Sequence, residues 1–200
     1  MDYTREIKQY IELECSILQN LDVNNINAAM NLIMETYEGE KKIYIFGNGG
    51  SAATASHYQN DFNKGVSEFV NKKFHFQCLN DNIATIMAIA NDICFEEVFR
   101  HQLKGNLNSG DLVIALSGSG NSKNVVCAVK YAKEQGNKVI GLTGYDGGML
   151  KKIADISLHV PIENMQVTED IHMVLDHLMM SIFCRHLKIL KCKEEIGGRM

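Results

Sequence analysis

The chain has 200 residues, 46% of them hydrophobic, and a formal net charge of −4 at pH 7; that fills one compact core and, with no basic run or tail, excludes nucleic-acid binding through bulk charge. No apolar run reaches the roughly 18 residues that a membrane span needs, and the start of the chain lacks a basic-then-apolar leader. The six cysteines form no close C-x-x-C pair, so a cytoplasmic protein with free, mostly buried thiols is expected.

In chain order, Ile7, Ile11, Leu13, Ile17 and Leu18 approximate helical spacing, and Asp22 can cap a second helix carrying Ile26, Ala29, Leu32 and Ile33. The two make a helical N-terminal segment over 1–38. Five short β-type runs follow: Lys42–Phe46, Phe74–Leu79, Leu112–Leu116, Lys138–Leu142 and Ile156–Val160. Helical stretches at Ala52–Asn63, Ser122–Gln135 and Thr168–Lys188 separate most of them. This alternation predicts an α/β three-layer sandwich, a five-stranded parallel sheet flanked by helices. With no linker or repeat, residues 1–200 read as one domain, with a loose tail at 194–200.

Two of the strands run directly into serine-glycine clusters. Gly47-Asn48-Gly49-Gly50-Ser51 follows the first, and Ser117-Gly118-Ser119-Gly120-Asn121-Ser122 follows the third. Glycines admit a close backbone approach, while hydroxyls and helix-start N–H groups donate to an anion. Neither cluster contains a lysine or arginine, so neither is the lysine-bearing loop of nucleotide hydrolases. A cradle for a small phosphate ester remains, at the carboxyl ends of the strands where such sheets bind ligands.

His57 and Asp61 lie i, i+4 on the helix that opens at Ser51. They share a face and can bind a metal or act as an acid/base pair; a surface ion pair is the other reading of that spacing. The late helix carries Glu169, Asp170, His172, Asp176 and His177. Glu169 and Asp170 also suit the positive end of a helix that Thr168 can cap. Asn91-Asp92 reads as a helix end or a polar contact in a cleft, and Gly144-Tyr145-Asp146-Gly147-Gly148 as a turn after the fourth strand. His75, His101, His159 and His186 are read as structural or solvated. The late helix is also apolar on more than one stripe, which predicts a homo-oligomer.

Together, Phe46–Ala53 with His57, Ser117–Ser122, Leu142–Gly148 and the late helix with its two histidines resemble the sugar isomerase (SIS) domain family, and within it the branch acting on seven-carbon sugar phosphates. The resemblance implies a homotetramer with active sites formed between subunits. It implies phosphate held by Ser117, Ser119 and Ser122 around Gly118, with help from Asn48, Gly49 and Ser51, and a sugar chain positioned by Asp92 and Glu169. Some members bind Zn²⁺ through a His, Glu, Gln and His set, which falls here on His57, Asp61, Glu169 and His177, with Asp in place of Glu and Glu in place of Gln. The implied reaction interconverts sedoheptulose 7-phosphate and D-glycero-D-manno-heptose 7-phosphate for surface polysaccharide synthesis. Asp61 is the implied base and His177 the acid. Relatives that bind a replication initiator, or that sense a phosphosugar, define the non-catalytic alternatives.

Overall fold

The computed structural model describes the backbone of residues 1–197 and the side chains of residues 1–189. Two N-terminal helices, α1 (Thr4–Gln19) and α2 (Val23–Glu38), precede five strands: β1 (Ile43–Phe46), β2 (Phe76–Cys78), β3 (Leu112–Ser117), β4 (Lys138–Thr143) and β5 (Ile156–His159). Between and after them run α3 (Gly50–Asn60), α4 (Ile83–Asp92), α5 (Arg100–Leu103), α6 (Lys123–Glu134), α7 (Gly148–Ile153) and α8 (Met165–Gly197). Asp22 caps α2 as expected, accepting from the amides of Asn24 and Asn25. The helix α8 takes in residues 194–197 of the expected loose tail, and residues 198–200 lie outside the described residues.

All strand pairs are parallel, in the order β2-β1-β3-β4-β5. A parallel sheet needs apolar cover on both faces, and alternation along each strand supplies it. Ile43 and Ile45 of β1 and Leu112, Ile114 and Leu116 of β3 point into one core with Tyr58, Phe62, Ile171, Leu175 and Phe183. Tyr44, Phe46, Val113 and Ala115 point into the other, against Phe99, Val125, Val129 and Leu150. The chain therefore forms the three-layer sandwich the sequence predicts, and the strand order reverses direction between β1 and β3. In such sheets the crevice at the reversal is where ligands bind. Both serine-glycine clusters open there.

Past Asn60 the helical path widens into a π turn over Asp61–Gly65, followed by a 3₁₀ turn over Val66–Phe69. Ser67 Oγ donates to the Phe62 carbonyl at 2.8 Å and accepts from the Phe74 amide at 2.9 Å. Asn63 brackets β2, donating to the Phe76 carbonyl and accepting from its amide. These bonds anchor the turn that carries Asp61 to the start of β2. Wide turns of this kind recur at functional sites.

Candidate active site

The two clusters are tied to each other before any ligand arrives. Asn48 and Asn124 exchange amide hydrogen bonds, 2.9 Å in each direction, joining the first loop to the start of α6. Asn80 both donates to the Gly47 carbonyl and accepts from its amide. Behind the second loop, the Gly144 amide donates to Gly118 and the Leu150 amide to Gly120. The Gly144–Gly148 segment is thus the turn the sequence predicts, and it buttresses the loop.

At the front, Asn48, Gly49, Gly50, Ser51, Ser117, Gly118, Ser119, Ser122, Met165 and Glu169 contribute to the wall of a cavity of about 230 Å³. Neither Gly49 nor Ser122, the residues at the cap positions of α3 and α6, caps its helix with a side chain. Ser122, at the cap position of α6, instead accepts from the Ser117 hydroxyl at 3.1 Å. Two helix N-termini and four serines thus border one small space, an arrangement suited to a phosphate dianion. A larger depression of about 430 Å³, lined by Tyr37, Glu40, Lys41, Lys72, Lys73 and His75, lies at the amino ends of β1 and β2, remote from these loops.

Six residues along α3 from Ser51, His57 meets the late helix. His57 Nε2 is 3.0 Å from His177 Nε2, and Asp61 Oδ2 is 3.5 Å from the first and 3.9 Å from the second. The surface-pair reading of His57 and Asp61 gives way to a shared centre: Asp61 is buried and Asn60 donates to its other oxygen at 3.1 Å. Asp176 joins them, and one ligand atom from each of His57, Asp61, Asp176 and His177 lies within 4.8 Å of all the others. Asp176 is fully buried, and neither of its oxygens has a hydrogen-bond partner. Burial, with the Asp61 charge beside it, pushes the Asp176 carboxyl up to about 8. The Tyr58 hydroxyl, also buried without a partner, is raised well above its usual range by burial and by Asp176.

The group fits a metal. Bonds of 2.0–2.1 Å in tetrahedral geometry place donors roughly 3.3 Å apart; the two imidazole nitrogens and the Asp61 oxygen stand at 3.0 to 3.9 Å. Two nitrogens and two carboxylates form a donor set for a divalent cation, and this cluster could hold one.

Of the other expected residues, Glu169 does not join this group. Its carboxylate lies against Gly50, where a Cβ would collide with it, and it lines the loop cavity instead. The fourth member among the described residues is Asp176, which the sequence reading passed over. Its signal was available as a carboxylate between the apolar Leu175 and Leu178, on a stripe that faces the core. Asp92 ends α4, exposed and bonded to Asn91, outside both the cavity and the His–Asp group. His172 is buried against the Thr143 carbonyl, and burial lowers it to about 4.

A parallel sheet with serine-glycine loops at its switch point, beside a His–Asp group on two flanking helices, is an α/β protein built to take a small anionic ligand at that edge. The SIS domain family matches residues 2–144, and the chain belongs to that family. The phosphoheptose isomerase of Helicobacter pylori strain P12 is 36% identical over 161 residues, 80% of this chain and 83% of that protein. That of Sulfurimonas denitrificans is 34% identical over 178 residues, 88% and 91% of the two chains. The solved phosphoheptose isomerase of Neisseria gonorrhoeae superposes with a TM-score of 0.83 at 29% identity, covering 91% of this chain and 98% of the other.

Proposed function

We propose that the chain, read as one SIS domain over 1–200, is a phosphosugar isomerase interconverting sedoheptulose 7-phosphate and D-glycero-D-manno-heptose 7-phosphate. The observation that carries this is the juxtaposition of the anion cradle with the His57–Asp61–His177 group. From Ser51 to His57 the helix advances about 9 Å at 1.5 Å per residue, a span that a seven-carbon chain covers from its phosphate to its carbonyl end. The loop serines and helix N-termini hold the remote phosphate, and that binding energy fixes the orientation of the reacting carbons.

Isomerisation moves one proton between adjacent carbons and one between their oxygens. Asp61 takes the proton from C1 while His177 protonates the C2 oxygen, which gives the enediol. Return of the carbon-bound proton to C2 and removal of the O1 proton by His177 complete the aldose. Glu169, beside the first loop, and Asp92, if supplied by a neighbouring subunit, position the sugar hydroxyls. Zn²⁺ held by His57, Asp61 and His177 would supply Lewis-acid polarisation of the carbonyl; a nitrogen bound to the ion has no proton to give, so Asp61 and His177 act as base and acid only through atoms that are not ligating it.

The assembly proposed is a homotetramer with sites shared between subunits. Support comes from α1, in which no residue is buried and Ile7 and Ile11 are exposed, from exposed Tyr3 just before it, and from exposed Val174 and Ile182 on α8. Among the described residues no helix is long and apolar enough to cross a membrane, which agrees with work in the cytoplasm on precursors of a surface polysaccharide. The test is incubation of purified protein with sedoheptulose 7-phosphate, followed by NMR. A new aldose heptose phosphate is expected; binding without conversion would make the chain a sensor instead.

A further inference from the structure

We propose that Asp176 is the fourth ligand of the metal site, so that one chain supplies two imidazoles and two carboxylates and Glu169 is left free for the sugar. This rests on the reading that the His–Asp group holds a metal. Asp176 is completely enclosed, yet both of its oxygens lack any partner. A buried carboxylate is costly unless it is paired, hydrogen-bonded or bound to a cation. Among the described residues, the groups gathered around it that bind cations are His57, Asp61 and His177, each with a ligand atom within 4.8 Å.

Asp176 and His177 are neighbours on α8, and adjacent helix positions diverge by about 100°. Asp176 therefore approaches from the buried side and His177 from the exposed side, with Asp61 on the π turn and His57 at the end of α3 opposite. Glu169 cannot take the same place. It stands two turns before His177, about 12 Å along the axis, and its carboxylate packs over Gly50 at the phosphate loop. Bringing it to the histidines would require it to leave that wall. A centre with two carboxylates closes within one protomer, so metal uptake staples α3 to α8 independently of assembly.

The experiment titrates Zn²⁺ into the metal-free full-length chain against a chromophoric chelator. Asp176→Asn should weaken zinc binding at least tenfold, while Glu169→Gln should leave it within twofold of the parent. Asp176→Leu, which replaces a buried charge by an apolar side chain, should keep the fold in chelator and lose the zinc-dependent rise in Tm. Co²⁺ substitution of the unaltered chain gives a reading that needs no variant: the strong visible band of a four-coordinate tetrahedral ion is expected. Parent-like zinc affinity in both Asp176 variants together with weakened binding in Glu169→Gln would overturn the assignment, as would the weak spectrum of six-coordinate cobalt. If the parent chain takes up no zinc, the metal reading itself fails and this assignment falls with it.

Discussion

His57 Nε2 and His177 Nε2 stand 3.0 Å apart, although 120 positions separate them in the chain. Two neutral imidazoles cannot both present lone pairs at that distance, so a proton or a cation occupies the space between them. His57→Ala and His177→Ala should each remove most of the metal and most of the turnover. Protein purified without chelator should carry about one zinc per chain, and elemental analysis of the parent and both variants checks it. Activity that survives complete metal removal would leave these residues as acid/base groups alone.

The serines of the second loop answer to a different parameter. Ser119→Ala combined with Ser122→Ala should raise KM sharply, because each hydrogen bond to a charged group contributes roughly 1.5–3 kcal/mol. Steady-state kinetics decides this, and an unchanged KM would move the phosphate elsewhere.

Gly120 has φ +66°, and a Cβ on it would collide with the Gly147 carbonyl. Both strain and collision act on the loop that the Gly144–Gly148 turn supports. Gly120→Ala should therefore lower Tm and weaken substrate binding together, seen by calorimetry and kinetics on one preparation. A variant with parent-like Tm and KM would show that the loop relaxes freely.

His172 gives the fold an acid limit. Burial holds it near 4 in the folded chain, against 6.5 for the unperturbed group, so between those values the unfolded chain binds the extra proton. The His172 contribution to stability is then full above about pH 6.5 and falls as the pH drops towards about 4, by on the order of 3 kcal/mol. Asp176, raised to about 8, acts with the opposite sign over the same range, so the reading is the difference between parent and His172→Gln in urea unfolding, in which the parent should lose ground to the variant from pH 7.5 to pH 5.

The apolar face of α1 predicts an assembly. Light scattering at micromolar concentration should give a mass of several chains, and Ile7→Glu with Ile11→Glu should shift it towards the monomer. A monomeric parent would remove both the tetramer and the shared site.

Much of this architecture was legible before any coordinates. The strands announced themselves because a sheet covered on both faces needs nearly continuous apolar runs, as in Leu112–Leu116. The loops were legible because close approach to an anion restricts residue type to Gly, Ser and Asn. The pairing of His57 with Asp61 followed from helical spacing. Asp176 escaped notice for a physical reason as well: adjacent helix positions diverge, so its place beside His177 does not mark the two as partners, and Asp61 and His57 are 115 and 119 positions away in the chain.

The sequence by itself determined the α/β layering, the two cradle loops and the candidate acid/base side chains, since each depends on periodicity or residue type within a few positions. Only the tertiary structure decided which of them meet. The reversal of strand order between β1 and β3 set the two loops side by side. The packing of α8 across α3 carried Asp176 rather than Glu169 to the histidines, and left Asp92 exposed at the end of α4. Such contacts depend on the strand order and on how helices cross, and neither is written in any short stretch of sequence.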